Sequence, residues 1–157
     1  MSSDRPRVLF LEARNSARSQ LAEAIVRAYA GRSLEACSAG LEPGEIHPLT
    51  SVVLREIGID PVALRPKSVR EFLAKLPVRW AIIVGGANER DAPRCYPFAG
   101  ITLRWPCPDP VRMAASPEEE IEAFRAVRDH LAGCIRAWLE ELQRRGPMEE
   151  VRAGHHA

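Results

Sequence analysis

The sequence contains no hydrophobic run that approaches the roughly 20 residues of a transmembrane helix. Its first apolar run begins after Pro6 and ends at Glu12, after about five residues, which is too short for the apolar region of a secretory signal. The formal net charge is +1, so overall charge directs the protein neither to nucleic acid nor to anionic lipid. We therefore expect a cytoplasmic protein without nucleic acid or membrane partners, in which any anion binding is local.

The sequence also lacks the cysteine patterns of metal sites. Its four cysteines form no CxxC pair and no Cys/His zinc spacing. They are Cys37, Cys95, Cys107 and Cys134. In a cytosolic chain such cysteines are expected to be free thiols. His155 and His156 are adjacent but lie in a polar C-terminal segment, and we expect no metal site and no cofactor.

Internal repeats, low-complexity segments and linkers are absent as well. A chain of 157 residues is one domain in length and can bury an ordinary core. The composition, 46% apolar and 27% charged, is typical of globular proteins. We predict a single domain over residues 1–146 and a flexible C-terminal tail over residues 147–157.

Short apolar runs alternate with segments in which apolar residues recur every three or four positions. The predicted strands lie at 8–11, 34–38, 80–84 and 101–105, and the predicted helices at 17–30, 48–57, 68–76 and 117–145. Ser68 and Glu71 have the spacing of a capping box at the start of the third helix. This order predicts an α/β three-layer sandwich with a four-stranded parallel sheet and helices on both faces.

Ligands of such sheets bind beyond the carboxyl ends of the strands, which draws attention to the first loop, residues 12–19. A loop between a buried strand and a helix can turn its backbone N–H groups towards an anion. Arg18 can add a bidentate guanidinium, while Asn15 and Ser16 can hold the loop through bonds to its backbone. The alternative is an ordinary polar turn with solvated arginines. The predicted oxyanion-binding residues are Ala13, Arg14, Asn15, Ser16, Ala17, Arg18 and Ser19.

Residues 8–23 read V-L-F-L-x-x-x-N-S-A-R-S-Q-L-A-E. This pattern resembles the phosphate-binding loop of low-molecular-weight protein tyrosine phosphatases and thioredoxin-coupled arsenate reductases. The resemblance covers about residues 7 to 140 and is closest to the arsenate reductase branch. It includes the segments 38–43, 57–60, 66–69, 109–110 and 124–129. It implies the low-molecular-weight phosphatase fold.

The resemblance also implies catalytic positions. In the family a cysteine thiolate attacks phosphorus or arsenic, an arginine stabilises the oxyanion, and an aspartate is the general acid. Arg18 matches the arginine and Asp109 the acid, but Glu12 occupies the position of the cysteine. The reductases use two further cysteines; Gly85 matches the first of these, and Cys95 is the nearest candidate for the second. The alternative reading of Cys95 is a simple free thiol.

Three behaviours of Glu12 follow from this mapping. Its carboxylate could fill the phosphate position as an internal anion, or swing outward and leave a pocket lined by Arg14 and Arg18. It could also form an acyl phosphate. We predict a pseudoenzyme that binds phosphate, arsenate or a similar oxyanion, or a protein partner. The alternative is an active arsenate reductase or tyrosine phosphatase that uses Glu12 or a non-standard cysteine.

A further reading is an interaction module whose cations near the first loop bind an acidic or phosphorylated partner. These cations are Arg14, Arg65, Lys67 and Arg70, and each could equally belong to an ordinary solvated surface. Lys67 has a second reading. Some reductases that this chain resembles bind potassium through an acidic residue at about this position, so the resemblance predicts an ammonium group there and no potassium requirement.

Overall fold

In the computed structural model of the protein, the described residues are 4–73, 75–86 and 93–153, with side chains described up to Gly146. Four parallel strands form one sheet in the order β2-β1-β3-β4. The strands are β1 (Arg7–Glu12), β2 (Glu35–Gly40), β3 (Val78–Ile83) and β4 (Ala99–Arg104). The predicted four-stranded parallel sheet is confirmed.

Helices and turns cover both faces of this sheet. The helices are α1 (Arg18–Ala30), α2 (Pro48–Glu56), α3 (Pro110–Met113) and α4 (Pro117–Ala153). On one face α1, α2 and α4 enclose the larger core, which includes Phe10, Ile25 and Phe124. A smaller apolar cluster lies on the opposite face, where Phe72 and Tyr96 cover the sheet. This arrangement confirms the predicted α/β fold.

Two local predictions differ from the structure. The helix predicted over 68–76 is a single 3-10 turn, Val69–Glu71, although its capping box forms as expected. Beyond the turn, Phe72 is buried and Leu73 packs against the smaller apolar cluster, whereas Leu76 is 40% exposed and ends the apolar pattern. The short helix α3 was not predicted, because it has only four residues and lies within a proline-rich run.

Helix α4 has a break at Gly146, whose φ of 69° and ψ of 157° are not helical. Glycine adopts this conformation without the steric cost that a Cβ would add. The predicted helix end therefore coincides with a real interruption, and helical backbone resumes as far as Ala153. That residues 147–157 form a tail separate from the domain stays a prediction. Among the described residues, no helix is long and apolar enough to cross a membrane.

Candidate functional site

The first loop connects the carboxyl end of β1 to the amino end of α1. Glu12 is the last residue of β1, and its side chain is turned inward with 3% exposure. Its Oε1 accepts the backbone N–H groups of Ser16 at 3.1 Å, Ala17 at 3.2 Å and Ser19 at 3.1 Å. The Ser19 hydroxyl donates to the same oxygen at 2.6 Å. The loop amides therefore converge on a carboxylate that belongs to the protein itself.

Arg18 completes the surroundings of this carboxylate. Its Nε donates to Oε2 of Glu12 at 3.2 Å, and both side chains are almost fully buried. Its Nη1 donates to the Cys107 carbonyl at 2.8 Å, which ties the first loop to the segment after β4. Ala17, the N-cap residue of α1, offers no capping side chain. The Glu12 carboxylate thus accepts the hydrogen bonds of amides at the start of α1, and its negative charge lies at the positive end of the helix dipole.

Asn15 determines the shape of the loop. It is fully buried and has a positive φ of 56°, a conformation that asparagine tolerates better than most residues. Its Nδ2 donates to the hydroxyls of Ser19 and Ser38, each at 2.8 Å. Its Oδ1 accepts from Gln20 Nε2 and from the Lys67 backbone, each at 2.8 Å. These four bonds hold the turn that directs the loop amides inward.

Neighbouring segments bind the outer side of the loop. The carbonyls of Ala13, Arg14 and Ser16 accept from the backbone N–H groups of Glu42, Gly44 and His47. Thr50 Oγ1 also donates to the Ser16 carbonyl. The chain passes so closely at Gly40 that a Cβ there would lie 2.8 Å from backbone atoms of Arg14 and Asn15. Only glycine therefore fits beside the loop at this position.

A second buried carboxylate lies on the other side of Asn15. Oε1 of Glu23 pairs with Lys67 Nζ at 3.3 Å and accepts from Ser38 Oγ at 3.2 Å. Lys67 Nζ also donates to the Arg65 carbonyl at 2.8 Å. Oε2 of Glu23 is buried without a hydrogen-bond partner among the described residues, and the Arg27 guanidinium lies 3.5 Å away. We call Glu23, Ser38 and Lys67 the lysine cluster.

The lysine cluster corrects one prediction. Lys67 is not a surface cation available to a partner, because it is 7% exposed and its ammonium is bound to Glu23. Arg65 is exposed but pairs with Glu71 at 3.2 Å. Arg14 and Arg70 are exposed at the surface. The predicted set of four cations therefore does not form one accessible basic patch.

Asp109, the predicted acid, lies close in sequence to the segment that Arg18 binds. It is the N-cap of α3, where Oδ1 accepts from Val111 N–H at 3.0 Å. Oδ2 lies 3.6 Å from Arg112 Nε. Two residues earlier, the Cys107 carbonyl accepts the Arg18 bond. The capping interactions give Asp109 a structural role at this place, and its role as an acid stays a prediction.

The four cysteines are free thiols. Burial, and then the charges of Glu35 and Glu23, raise the pKa of the Cys37 thiol above its ordinary value. Burial also raises the pKa of Cys134. Cys107 is 1% exposed, whereas Cys95 is exposed. Residues 87–92, between Gly85 and Cys95, lie outside the described residues.

No group of three or more metal-binding side chains occurs within residues 4–73, 75–86 and 93–153. His155 and His156 lie outside these ranges. Sequence analysis did not single out Glu23, Gln20 or Gly40 as parts of the site. The sequence did contain a signal for Gln20 and Glu23, because both are polar residues among the apolar positions of α1. In the structure both side chains are at most 1% exposed.

A model of the low molecular weight phosphotyrosine protein phosphatase family matches residues 7–148. The chain belongs to this family. An arsenate reductase of Halalkalibacterium halodurans is 28% identical over 134 residues, which cover 85% of this chain and 94% of the relative. An arsenate reductase of Bacillus subtilis is 26% identical over 133 residues, with the same two coverages. The family assignment agrees with the resemblance found in the sequence.

Solved structures of the family agree with the fold. An arsenate reductase in the phosphate binding state has a TM-score of 0.72 and 26% identity, and the match covers 87% of this chain and 98% of that one. A low molecular weight protein tyrosine phosphatase from T. tengcongensis has a TM-score of 0.67 and 27% identity, covering 87% and 99%. Because reductases and phosphatases both match, the comparisons establish the family of this chain but do not distinguish between the two reactions.

Proposed function

We propose that the protein is a pseudoenzyme of the arsenate reductase and low molecular weight phosphatase family. In this proposal Glu12 stands where relatives keep the cysteine nucleophile, and its carboxylate occupies the position of the bound oxyanion. The observation that carries the proposal is the convergence of the Ser16, Ala17 and Ser19 amides and Arg18 Nε on that carboxylate. The protein then binds phosphate, arsenate or a similar oxyanion, or a protein partner, only when Glu12 is displaced.

The bonds of Glu12 disfavour chemistry at its Oε1 atom, and Oε2 is paired with Arg18 Nε. Oε1 accepts three amides and a hydroxyl, so its lone pairs are not available for attack on phosphorus. An incoming oxyanion would also meet a like charge. Two unit charges 4 Å apart repel by about 4 kcal/mol at an effective dielectric constant of about 20. These two effects support a site that is filled internally.

The properties of the thiols also disfavour catalysis by a cysteine. Attack requires a thiolate, and the raised pKa values of Cys37 and Cys134 keep both thiols protonated at neutral pH. Cys107 is buried in the core. The competing candidate, an active reductase or phosphatase, rests on the exposure of Cys95 or on acyl phosphate formation at Glu12.

An activity comparison tests the proposal. The natural chain and Glu12→Cys are assayed for para-nitrophenyl phosphate hydrolysis and for thioredoxin-coupled arsenate reduction. We expect the natural chain to match buffer in both assays and Glu12→Cys to gain phosphatase activity. Glu12→Ser is the matched control, because it has a small hydroxyl in place of the thiol. Turnover by the natural chain above buffer would contradict the pseudoenzyme.

Calorimetry tests the internal anion. Phosphate and arsenate are titrated into the natural chain, into Glu12→Ala and into Glu12→Ala with Arg18→Met. Removing the like charge should tighten binding by at least about tenfold, which corresponds to about 1.4 kcal/mol. The double variant should lose this gain, since the guanidinium is absent. Equal affinity of the natural chain and Glu12→Ala would refute the internal anion.

A further inference from the structure

The first loop is bound on its outer side as well as on its inner side. The C=O and N–H groups of a trans peptide unit lie in one plane and point in opposite directions. Two units of the loop direct their N–H groups inward to Glu12 Oε1, at 3.1 Å and 3.2 Å. They join Asn15 to Ser16 and Ser16 to Ala17. Because each unit is rigid, a donor that binds its outward carbonyl also fixes the direction of its inward N–H.

Each of these two carbonyls has a buried side-chain donor. Gln20 Nε2 donates to the Asn15 carbonyl at 3.0 Å, and Thr50 Oγ1 donates to the Ser16 carbonyl at 3.0 Å. Both donor side chains are fully buried. The His47 N–H adds a second bond to the Ser16 carbonyl at 3.1 Å. The Ser16 carbonyl is therefore bound twice by residues at the start of α2, a segment distant in sequence from the loop.

The bond of Thr50 is informative because its hydroxyl has other acceptors within its own segment. A threonine hydroxyl in a helix can donate to the carbonyl three or four residues earlier. The Thr50 hydroxyl instead donates to the first loop. The N-cap residue His47 fixes the place of Thr50, since the His47 carbonyl accepts the Thr50 N–H at 3.0 Å and His47 Nδ1 accepts the Leu49 N–H at 3.1 Å. A capped helix start thus presents this hydroxyl to the loop.

The start of α2 is anchored to α4 through the His47 side chain. The His47 ring lies against the buried ring of Phe124, with ring centroids 4.6 Å apart. His47 Nε2 lies 3.0 Å from Glu120 Oε1. We call three residues the outer clamp: Gln20, His47 and Thr50. Through the outer clamp, the direction of the loop amides depends on α1 and α2 as well as on the residue at position 12.

We propose that the outer clamp keeps the loop amides directed inward even without the Glu12 carboxylate, and that Thr50 is a positioning residue of the anion site. The carbonyl that Thr50 binds belongs to the same peptide unit as the Ala17 N–H, so the hydroxyl orients this donor without touching the anion. A bond to the carbonyl also polarises that N–H and makes it a stronger donor. Donors that are fixed in advance need no reorganisation when an anion binds. The role of Thr50 in anion binding rests on the proposed function, whereas the orientation of the amides does not depend on it.

Backbone carbon chemical shifts, which report φ and ψ, test whether the outer clamp holds the loop. They are measured for residues 14–17 in the natural chain, in Glu12→Ala and in Glu12→Ala with Thr50→Val, all in buffer without oxyanions. We expect Glu12→Ala to keep the shifts of the natural chain and the double variant to depart from them. Random-coil shifts in Glu12→Ala would overturn the proposal, because Glu12 itself would then hold the loop. Unchanged shifts in the double variant would overturn the role of Thr50.

Phosphate titration by calorimetry, on the same Glu12→Ala background, tests the anion site. Thr50→Val removes the hydroxyl and should weaken phosphate binding about tenfold, as expected for the loss of one hydrogen bond. Thr50→Ser keeps the hydroxyl and should bind within about threefold of the Glu12→Ala parent. Thr102→Val, the same substitution at an exposed residue of β4, is the control and should not change the affinity. Equal affinities of Thr50→Val and Thr50→Ser would overturn the role of Thr50. A parent that binds no phosphate would refute the proposed function, and the chemical shifts would then decide on the clamp alone.

Discussion

Two buried carboxylates lie on either side of Asn15, and their surroundings differ in kind. Glu12 is bound by main-chain amides, a hydroxyl and the Arg18 guanidinium. Glu23 is bound by the Lys67 ammonium and the Ser38 hydroxyl, and one of its oxygens lacks a hydrogen bond among the described residues. The first charge is held mostly by backbone, and the second by side chains that single substitutions can remove.

The two carboxylates are connected through buried hydrogen bonds. Asn15 Nδ2 donates to Ser19 Oγ, which donates to Glu12, and to Ser38 Oγ, which donates to Glu23. Unpaired charges inside a protein destabilise it strongly, so each partner matters for the fold as well as the site. The following predictions compare the two sides, beginning with the residue that both share.

The largest loss of folding stability is expected for Asn15→Ala. This change removes four buried hydrogen bonds, each of which contributes about 1 kcal/mol. It also places alanine at a φ of 56°, which adds about 1 kcal/mol. Urea unfolding should therefore show a loss of about 4 kcal/mol or more. Asn15→Gly is the control, and its free energy of unfolding should be about 1 kcal/mol higher than that of Asn15→Ala, because glycine tolerates a positive φ. Equal losses of stability in the two variants would show that the positive φ of residue 15 carries no cost.

Lys67→Met should have the next largest effect, because it leaves Glu23 buried without its ammonium. Breaking a buried pair in this way costs about 3 kcal/mol or more. Adding Glu23→Gln should restore part of the stability, since the unpaired charge is then removed as well. The four proteins of this double-mutant cycle are compared by urea unfolding. Additive losses at the two positions would show that the pair is not coupled.

Glu12→Ala should destabilise by a smaller amount, about 2 kcal/mol, because water or an anion can replace the carboxylate at the loop amides. Phosphate should recover this loss, by about 2.7 kcal/mol at a concentration 100 times its dissociation constant. Sodium chloride at the same ionic strength is the control and should have little effect. Lys67→Met should not recover in phosphate. Recovery of both variants would mean that phosphate acts on the whole protein.

Replacing sodium with potassium should have the smallest effect. Lys67 Nζ already provides a cation beside Glu23 and the Arg65 carbonyl. The thermal unfolding midpoint in potassium chloride should therefore match that in sodium chloride to within about 1 °C, a difference worth only a few tenths of a kcal/mol. Lithium chloride is a further control for ionic strength. Stabilisation by potassium alone would show that the ammonium does not fill this position.

Most of the fold could be predicted because its signals are local. Val8 to Leu11 are consecutive apolar residues, at most 1% exposed, and they form the central strand. The apolar spacing of α1 and the glycine at position 31 likewise define that helix within the sequence. The position of the first loop followed from these two elements. Its arginine and asparagine were recognised because they lie within one short segment.

Contacts between distant segments could not be predicted in the same way. Lys67 could be read as a surface cation or as an internal one, and only the approach of Glu23 and the Arg65 carbonyl decides between these readings. The inward side chain of Glu12 was one of several open alternatives for the same reason. The 3-10 turn at Val69–Glu71 has the local signal of a helix, including its capping box, but the apolar pattern that predicted a longer helix ends at Leu76, which is 40% exposed.

The amide donors around Glu12 belong to the main chain, so the identity of these donors does not depend on the side chain encoded at position 12. The chemical preference of this pocket is therefore concentrated in a single residue rather than spread over many. Under the proposed function, an acidic residue at position 12 fills the pocket with its own carboxylate, and we predict that a small residue would admit an anion from solution. A change at one codon would then alter ligand binding while the rest of the fold stays the same.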